Sequence, residues 1–234
     1  MRGLTLLLPD KADVERDAVA DAWIAAGGKA ERIGRFWDPP DFDAGCVRLY
    51  GNDTFCLVLA QKLSLELISP PDDLLLSLPE TFVKRRVAAS SLRDAGALDY
   101  PIFIKPLVPK LFKAAVYLQH ADLLAECRGL DADTGILLSE IVTFGSELRA
   151  FILEGQELDL ALYEGAAALD EARIFAEQVA QHECLPVACV LDIGWIDGRG
   201  WAVIEANAAW GAGLNGCDAG KVLPAIAAAS RQLG

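Results

Sequence analysis

The stretch VACVLDIGWIDGRGWAVIEAN, residues 187–207, holds two apolar, β-branched runs on either side of Asp197, Gly198, Arg199 and Gly200. An Asp-Gly step between such runs is a strong hairpin signal. If the loop is Asp197 and Gly198 alone, Asp192 lies opposite Val203; if it takes all four residues, Asp192 lies opposite Glu205. Side chains alternate with period two, so in both registers Asp192, Glu205 and Asn207 fall on one face. Two carboxylates and an amide oxygen converge there. Like charges on neighbouring strands repel, and burying them unpaired costs several kcal/mol each, so a counter-ion is expected. Oxygen-only ligands suit Mg²⁺ or Mn²⁺, completed by water and phosphate. The alternative is a solvated face with arginines such as Arg199 nearby.

Working outward from this hairpin, Gly211, Gly213 and Gly216 stand at the G-x-G-x-x-G spacing of a dinucleotide-binding turn. Such a turn needs a helix, a second strand and an acid about 20 residues on. Only residues 217–234 remain, enough for one helix, so the Rossmann reading fails. Upstream, ELRAFILEGQELDLALY (147–163) reads as two strands folded at Glu154-Gly155-Gln156, and LDEARIFAEQVAQHE (169–183) as an amphipathic helix. SLPETFVKRRVAASSLRDAG (77–96) opens on the S-x-x-E of a capping box at Ser77 and Glu80 and closes at Gly96, which predicts one helix carrying Lys84, Arg85 and Arg86. YPIFIKP (100–106) is a short strand ending at Lys105, and residues 114–130 read equally as strand or helix. The first 67 residues alternate strand, helix, strand, with Asn52 or Asp53 as N-cap of a second helix, which suggests a small parallel sheet. The three prolines of residues 69–79 mark a boundary. The fold class is therefore α/β followed by α+β: a domain at 1–75, and a second at 76–234 divided into 76–135 and 136–234.

With 21 Lys plus Arg against 34 Asp plus Glu, the net charge is -13, which argues against nucleic acid or a membrane as the main partner. Six cysteines without a C-x-x-C read as reduced, mostly buried thiols, and two histidines nearly exclude a His-rich zinc site. The apolar run at residues 4–9 is too short for a signal peptide and reads as a first strand, and no stretch approaches the ~20 apolar residues of a membrane helix. A cytoplasmic protein is expected.

A cation with few protein ligands takes phosphate as a further ligand, and lysines gather upstream. Lys84 lies beside two arginines, Lys105 ends a strand, and Lys110 and Lys113 occupy PLVPKLFK (106–113). A lone lysine at a strand end usually only snorkels. Several in an acidic chain point to an anion pocket.

Lys84, the FIKP at Lys105, the SEIVTFGSE holding Glu140 and Glu147, and Asp192 followed thirteen positions later by the Glu205 of IEAN occur in this order. Together they resemble the ATP-grasp superfamily, and in size the chain resembles a compact bacterial clade of carboxylate-amine ligases. The first 75 or so residues are similar to the small α/β domain that often precedes the ATP-grasp fold. The resemblance implies that Lys84 and Lys105 contact the nucleotide phosphates. Glu140, with the backbone of Ile141 and Val142, would meet the adenine edge, Glu147 the ribose, and Asp192, Glu205 and Asn207 Mg²⁺. Arg149 shares a strand face with Glu147 and is assigned to phosphate or substrate carboxylate, the alternative being an ion pair between the two.

The implied activity is an ATP- and Mg²⁺-dependent ligase joining a small-molecule or peptide carboxylate to an amine through an acyl phosphate. A kinase and a non-catalytic nucleotide-binding module are the alternatives. One departure bears on this choice: the family covers the phosphates with a glycine-rich loop, and residues 106–113 contain no glycine. Either Lys110 and Lys113 replace the backbone donors, or the loop does not close on ATP. The glycines after the metal strand would let backbone N–H groups approach the acyl phosphate, with Asn215 as a side-chain donor; the alternative is a flexible connector.

Overall fold

The computed structural model describes residues 1–233; Gly234, the last residue of the expected second domain, lies outside the described residues. The first seventy residues run β1 (Thr5–Pro9), α1 (Val14–Ala25), β2 (Lys29–Ile33), β3 (Val47–Leu49), α2 (Asp53–Leu63) and β4 (Leu65–Leu67). Each helix starts on a side-chain cap: Asp13 accepts from the Arg16 N–H and Asn52 from the Phe55 N–H, both at 3.0 Å. The sheet has the order β2-β1-β3 and all its pairs are parallel. Its middle strand therefore reads as a continuous apolar run, with Leu6, Leu7 and Leu8 all fully buried.

Residues 71–145 form α3 (Leu74–Ser77), α4 (Glu80–Val83), β5 (Val87–Ser91), β6 (Ile102–Pro106), β7 (Ala115–Tyr117), α5 (His120–Glu126) and β8 (Gly135–Ser139). Their sheet is antiparallel, ordered β5-β8-β6-β7. The helix expected over 77–96 is absent. Ser77 ends the one-turn helix α3, and Pro79 stands at the N-cap of α4 with no side-chain bond, so the capping box never forms. Lys84 then adopts a left-handed backbone, φ 52°, which ends the helix after one turn. Beyond it Val87–Ser91 pairs with β8 over five positions, and that ladder outweighs a modest helical propensity. The ambiguous segment at 114–130 resolves as strand followed by helix. Ile104, Phe112, Tyr117, Leu123 and Ile136 pack together as its core.

The remainder runs β9 (Phe144–Leu153), β10 (Gln156–Gly165), α6 (Leu169–Ala180), β11 (Ala188–Ile196), β12 (Gly200–Asn207), α7 (Ala219–Ala228) and β13 (Ser230–Gln232). The four long strands order as β10-β9-β11-β12. Glu154 and Gly155 form the two-residue turn of the β9–β10 hairpin with φ of 49° and 76°, the left-handed pair that a type I′ turn demands. β13 extends the chain past the helix at which the sequence pattern stops and pairs antiparallel with β4.

Two compact units result. One comprises Met1–Pro70, Ser146–Gly194 and the chain from Ile204 onward; the other comprises Pro71–Gly145 and Trp195–Val203. All six cysteines are free thiols, four of them buried. Among the described residues no helix is long and apolar enough to cross a membrane.

Candidate functional site

The strand order β9-β11-β12 puts Asp192 of β11 between Arg149 of β9 and the pair Glu205 and Asn207 of β12. Arg149 forks onto Asp192, Nε to Oδ1 at 2.8 Å and Nη2 to Oδ2 at 2.7 Å, with both side chains nearly out of solvent. Asn207 Nδ2 donates to Asp192 Oδ2 at 3.0 Å and to Glu205 Oε1 at 3.2 Å. The amide thus joins the two carboxylates on one face. Burial pushes the Asp192 carboxyl above its ordinary value, with Arg149 and Asn207 pulling against the shift and Glu205 adding to it. Burial opposes the charge of Arg149 as well, but the fork onto Asp192 outweighs it and raises the guanidinium pKa.

The counter-charge at Asp192 is therefore a guanidinium, which sequence alternation alone did not single out. Whether a divalent cation also fits depends on the donors. Asp192, Glu205 and Asn207 offer only hard oxygen ligands, two of them carboxylates, as Mg²⁺ prefers when phosphates and water complete its shell. Asn207 turns its Nδ2 toward the carboxylates, so a cation between them would require the amide to rotate and present Oδ1. Among the described residues no group of three or more His, Cys, Asp or Glu side chains is arranged to hold a metal.

Glu147 and Arg149 do not pair with each other. The Tyr163 hydroxyl of β10 donates to Glu147 Oε2 at 2.8 Å, and its ring lies 6.0 Å from the Arg149 guanidinium carbon. Burial, with Asp192 and Glu147 close by, pushes the phenol well above its ordinary value, so it stays a donor.

The turn after β12 is held along its length. Gly51 N–H donates to the Trp210 carbonyl at 3.0 Å, Tyr50 Oη to that of Ala212 at 2.8 Å, and Arg149 Nη1 to that of Gly213 at 2.9 Å. The N–H groups of Leu214 and Asn215 both donate to the Glu15 carboxylate, at 3.0 and 2.8 Å. Two backbone donors that would approach an acyl phosphate are thus taken up by a side chain of α1, and the connector is pinned. Asn215 itself has φ 45°.

In the second unit Arg199, in the β11–β12 loop, is the joining residue. It forks onto Glu140, Nη2 to Oε1 at 2.6 Å and Nη1 to Oε2 at 3.1 Å, and Nη1 also donates to the Lys84 carbonyl at 3.0 Å. The Arg86 N–H adds a bond to Glu140 Oε2 at 3.2 Å. Arg199 foremost, then this N–H, holds the Glu140 carboxyl down at about 2. Glu140 is thus ionised and ordered beside the irregular stretch with exposed Ile141 and half-buried Val142. Lys84 is half-buried at the end of α4, and Lys105 sits on β6 opposite Leu137. Lys110, with φ 67°, and Lys113 are exposed on the loop between β6 and β7. The Lys113 N–H donates to Glu126 Oε1 at 3.2 Å and its carbonyl accepts from Tyr117 Oη at 2.6 Å, which fixes backbone and leaves the side chain outward.

Sequence reasoning missed Glu15, Tyr163 and the link made by Arg199. Tyr163 had a usable signal, since it lies on the hairpin partner of the Glu147 strand. Glu15 had none, because it reads as an ordinary first-turn acid. A surface cavity of the first unit, about 600 Å³ beside Gln156, Glu157 and Gln181, holds none of these residues.

Residues 82–225 match the family model of the ATP-grasp domain, R2K clade family 2. No curated protein matches the chain. Among solved structures, a RimK domain ATP-grasp protein from Sphaerobacter thermophilus DSM 20745 superposes with a TM-score of 0.64 at 17% identity, over 95% of this chain and 98% of that one. The ATP-grasp ligase PsnB, complexed with a phosphomimetic variant of its minimal precursor, Mg and ADP, gives 0.57 at 13% identity over 97% of both chains. D-alanine–D-alanine ligase from Bacillus anthracis, complexed with ATP, gives 0.51 at 12% identity over 96% and 95%. At such identities the likeness is one of fold, and the family model, spanning more than half of the sequence, assigns the rest: the chain belongs to the R2K clade of ATP-grasp domains, family 2.

Proposed function

We propose that this chain is an ATP- and Mg²⁺-dependent ligase that joins a carboxylate to an amine through an acyl phosphate. The observation that carries the reading is the network Arg149–Asp192–Asn207–Glu205, two carboxylates held on one sheet face with an arginine forked onto one of them. Family membership supports it, as do fold neighbours described as ligases in complex with ATP, or with Mg and ADP.

A carboxylate is a poor electrophile because its charge is delocalised, so transfer of the γ-phosphoryl group to it creates the leaving group that an amine then displaces. The protein's task in such a transfer is positioning and charge neutralisation. Asp192, Glu205 and Asn207 would hold Mg²⁺, which offsets phosphate charge when bound. Lys84 and Lys105 would contact the phosphates, Glu140 with the backbone of Ile141 and Val142 the adenine edge, and Glu147 the ribose. Three of the five N–H groups of Arg149 are committed to Asp192 and Gly213, leaving one hydrogen on each Nη for a phosphate or substrate carboxylate oxygen. Lys110 and Lys113 would meet the charge that shifts during transfer, and the Asn215 side chain would donate to the acyl group. Substrates of this kind would be small molecules or peptides, and the net charge of -13 disfavours a nucleic-acid partner.

The glycine-free loop favours one rival, a nucleotide-binding module without turnover. A screen of amino acids and small peptides for ADP formation with Mg²⁺ and ATP decides between them. Phosphate release that depends on both a carboxylate and an amine supports the ligase; dependence on the carboxylate alone makes it a kinase, and binding without turnover the module. ATP with Mg²⁺ should also raise the unfolding temperature, as any ligand of the native state does. Glu205→Gln should remove most of the Mg²⁺-dependent part, and an unchanged shift would sink the metal site.

A further inference from the structure

We infer that Glu15, on the first turn of α1, is a positioning residue for Arg149 and the Asp192 carboxylate, acting through the peptide group between Gly213 and Leu214. That single peptide is gripped at both ends. Its N–H donates to Glu15 Oε2 at 3.0 Å, and its carbonyl accepts from Arg149 Nη1 at 2.9 Å. A peptide group is planar, so rotating one end rotates the other. An N–H bound to a carboxylate also polarises its own carbonyl and makes it a stronger acceptor for the guanidinium. From there the arginine forks onto Asp192. The other Glu15 oxygen takes the Asn215 N–H at 2.8 Å, which fixes the carboxylate in the plane needed for both bonds.

Two further observations show that the turn is shaped around this contact. A Cβ at Gly213 would lie 2.4 Å from Glu15 Oε2 and push that carboxylate off the turn, while Arg149 Nη1 at 3.8 Å would stay in ordinary contact, so the glycine is what lets Glu15 reach this peptide. Tyr50, buried, donates to the preceding carbonyl at Ala212 and holds the approach. A first-turn acid whose task was only to complement the helix N-terminus has no reason to reach a loop 199 positions away.

The contact itself is independent of the ligase reading; its kinetic consequence rests on that reading. The test uses the full chain labelled with ¹⁵N and follows solvent exchange of the Leu214 and Asn215 amides and of the Arg149 Nε–H. In Glu15→Ala all three should exchange at least about tenfold faster, as local opening is favoured. Glu15→Gln keeps one acceptor and should recover part of the protection. Gly213→Ala should reproduce the Glu15→Ala pattern without touching α1, and serves if that variant fails to fold. Asp17→Asn removes a neighbouring first-turn charge and should change none of the three. Freed amides with unaltered Arg149 exchange would overturn the proposal, since Glu15 would then cap the turn and nothing more. With a substrate pair from the screen, Glu15→Ala should lower kcat about tenfold while the KM for ATP stays within about twofold. An unaltered kcat would overturn the proposal too. A wild-type chain without turnover on any substrate defeats the ligase reading alone, and the exchange measurement then decides the role of Glu15.

Discussion

Two arginine–carboxylate forks serve different ends because their surroundings differ. Arg149 and Asp192 are almost wholly buried, while Arg199 and Glu140 keep 42% and 24% of their side-chain surface in solvent. In the exposed fork hydrogen bonds dominate and the Glu140 carboxyl falls to about 2; in the buried one desolvation dominates and Asp192 rises. The signs of their pH dependence are therefore opposite. Glu140 contributes stability that is complete above its ordinary value of 4.5 and is lost as pH falls from there towards about 2. Asp192 is easier to protonate folded than unfolded, so acid does not weaken the fold through it. Comparing urea midpoints at about pH 5 and about pH 3 isolates the first effect, since wild type should lose more over that interval than Arg199→Ala does. Equal losses would mean that the fork adds nothing to the folded state. The clustering of Asp192, Glu205 and Asn207 was legible because strand alternation gives it in any hairpin register. The partners Arg149 and Glu15 come from a neighbouring strand and a remote helix, and no spacing rule connects such positions.

At the scale of elements, parallel strands and capped helices were legible in the first seventy residues, where Asn52 and the Leu6–Leu8 run carry local signals. The segment at 77–96 was not. Its capping pattern is local, while the β5–β8 ladder that overrides it is made with residues about fifty positions on. β13 is the other element hidden from pattern reading, three residues long and held by non-local bonds. Its Ser230 is fully buried and its Oγ accepts the Leu49 N–H of β3 at 3.0 Å. Ser230→Ala strands a buried donor and should cost roughly 1 to 3 kcal/mol in urea unfolding. Arg231, next in sequence, makes an exposed pair with Glu66, and Arg231→Ala should cost under about 1 kcal/mol. Should the two variants prove equally mild, the β13–β4 pairing would be a frayed end with no part in closing the sheet.

For the whole molecule the question is which pieces can fold alone. Proline content suggests a cut near residue 75, yet one compact unit gathers the first seventy residues with Ser146–Gly194 and the chain from Ile204 onward. Its core cluster mixes Leu6, Leu8, Trp23 and Phe55 with Phe151, Val190, Val222, Leu223 and Ile226. α7 packs on α1, β13 pairs with β4, and Glu15 holds the turn at Leu214. A fragment starting at residue 76 would expose the apolar side of α7 and of the long strands. At about 1.5 to 3 kcal/mol for each large side chain returned to water, five such residues cost on the order of 10 kcal/mol. That matches the entire net stability of an ordinary domain, about 5 to 15 kcal/mol. Fragment 76–234 should therefore lack a cooperative thermal transition, although β5–β8 and the hairpins can leave it some residual strand signal. Adding fragment 1–70 in trans should restore a cooperative transition whose midpoint rises with concentration, because the missing half of the core returns with it. A fragment 76–234 that melts cooperatively by itself would show that the second part of the chain owns a sufficient core, and that the first seventy residues dock onto a finished fold.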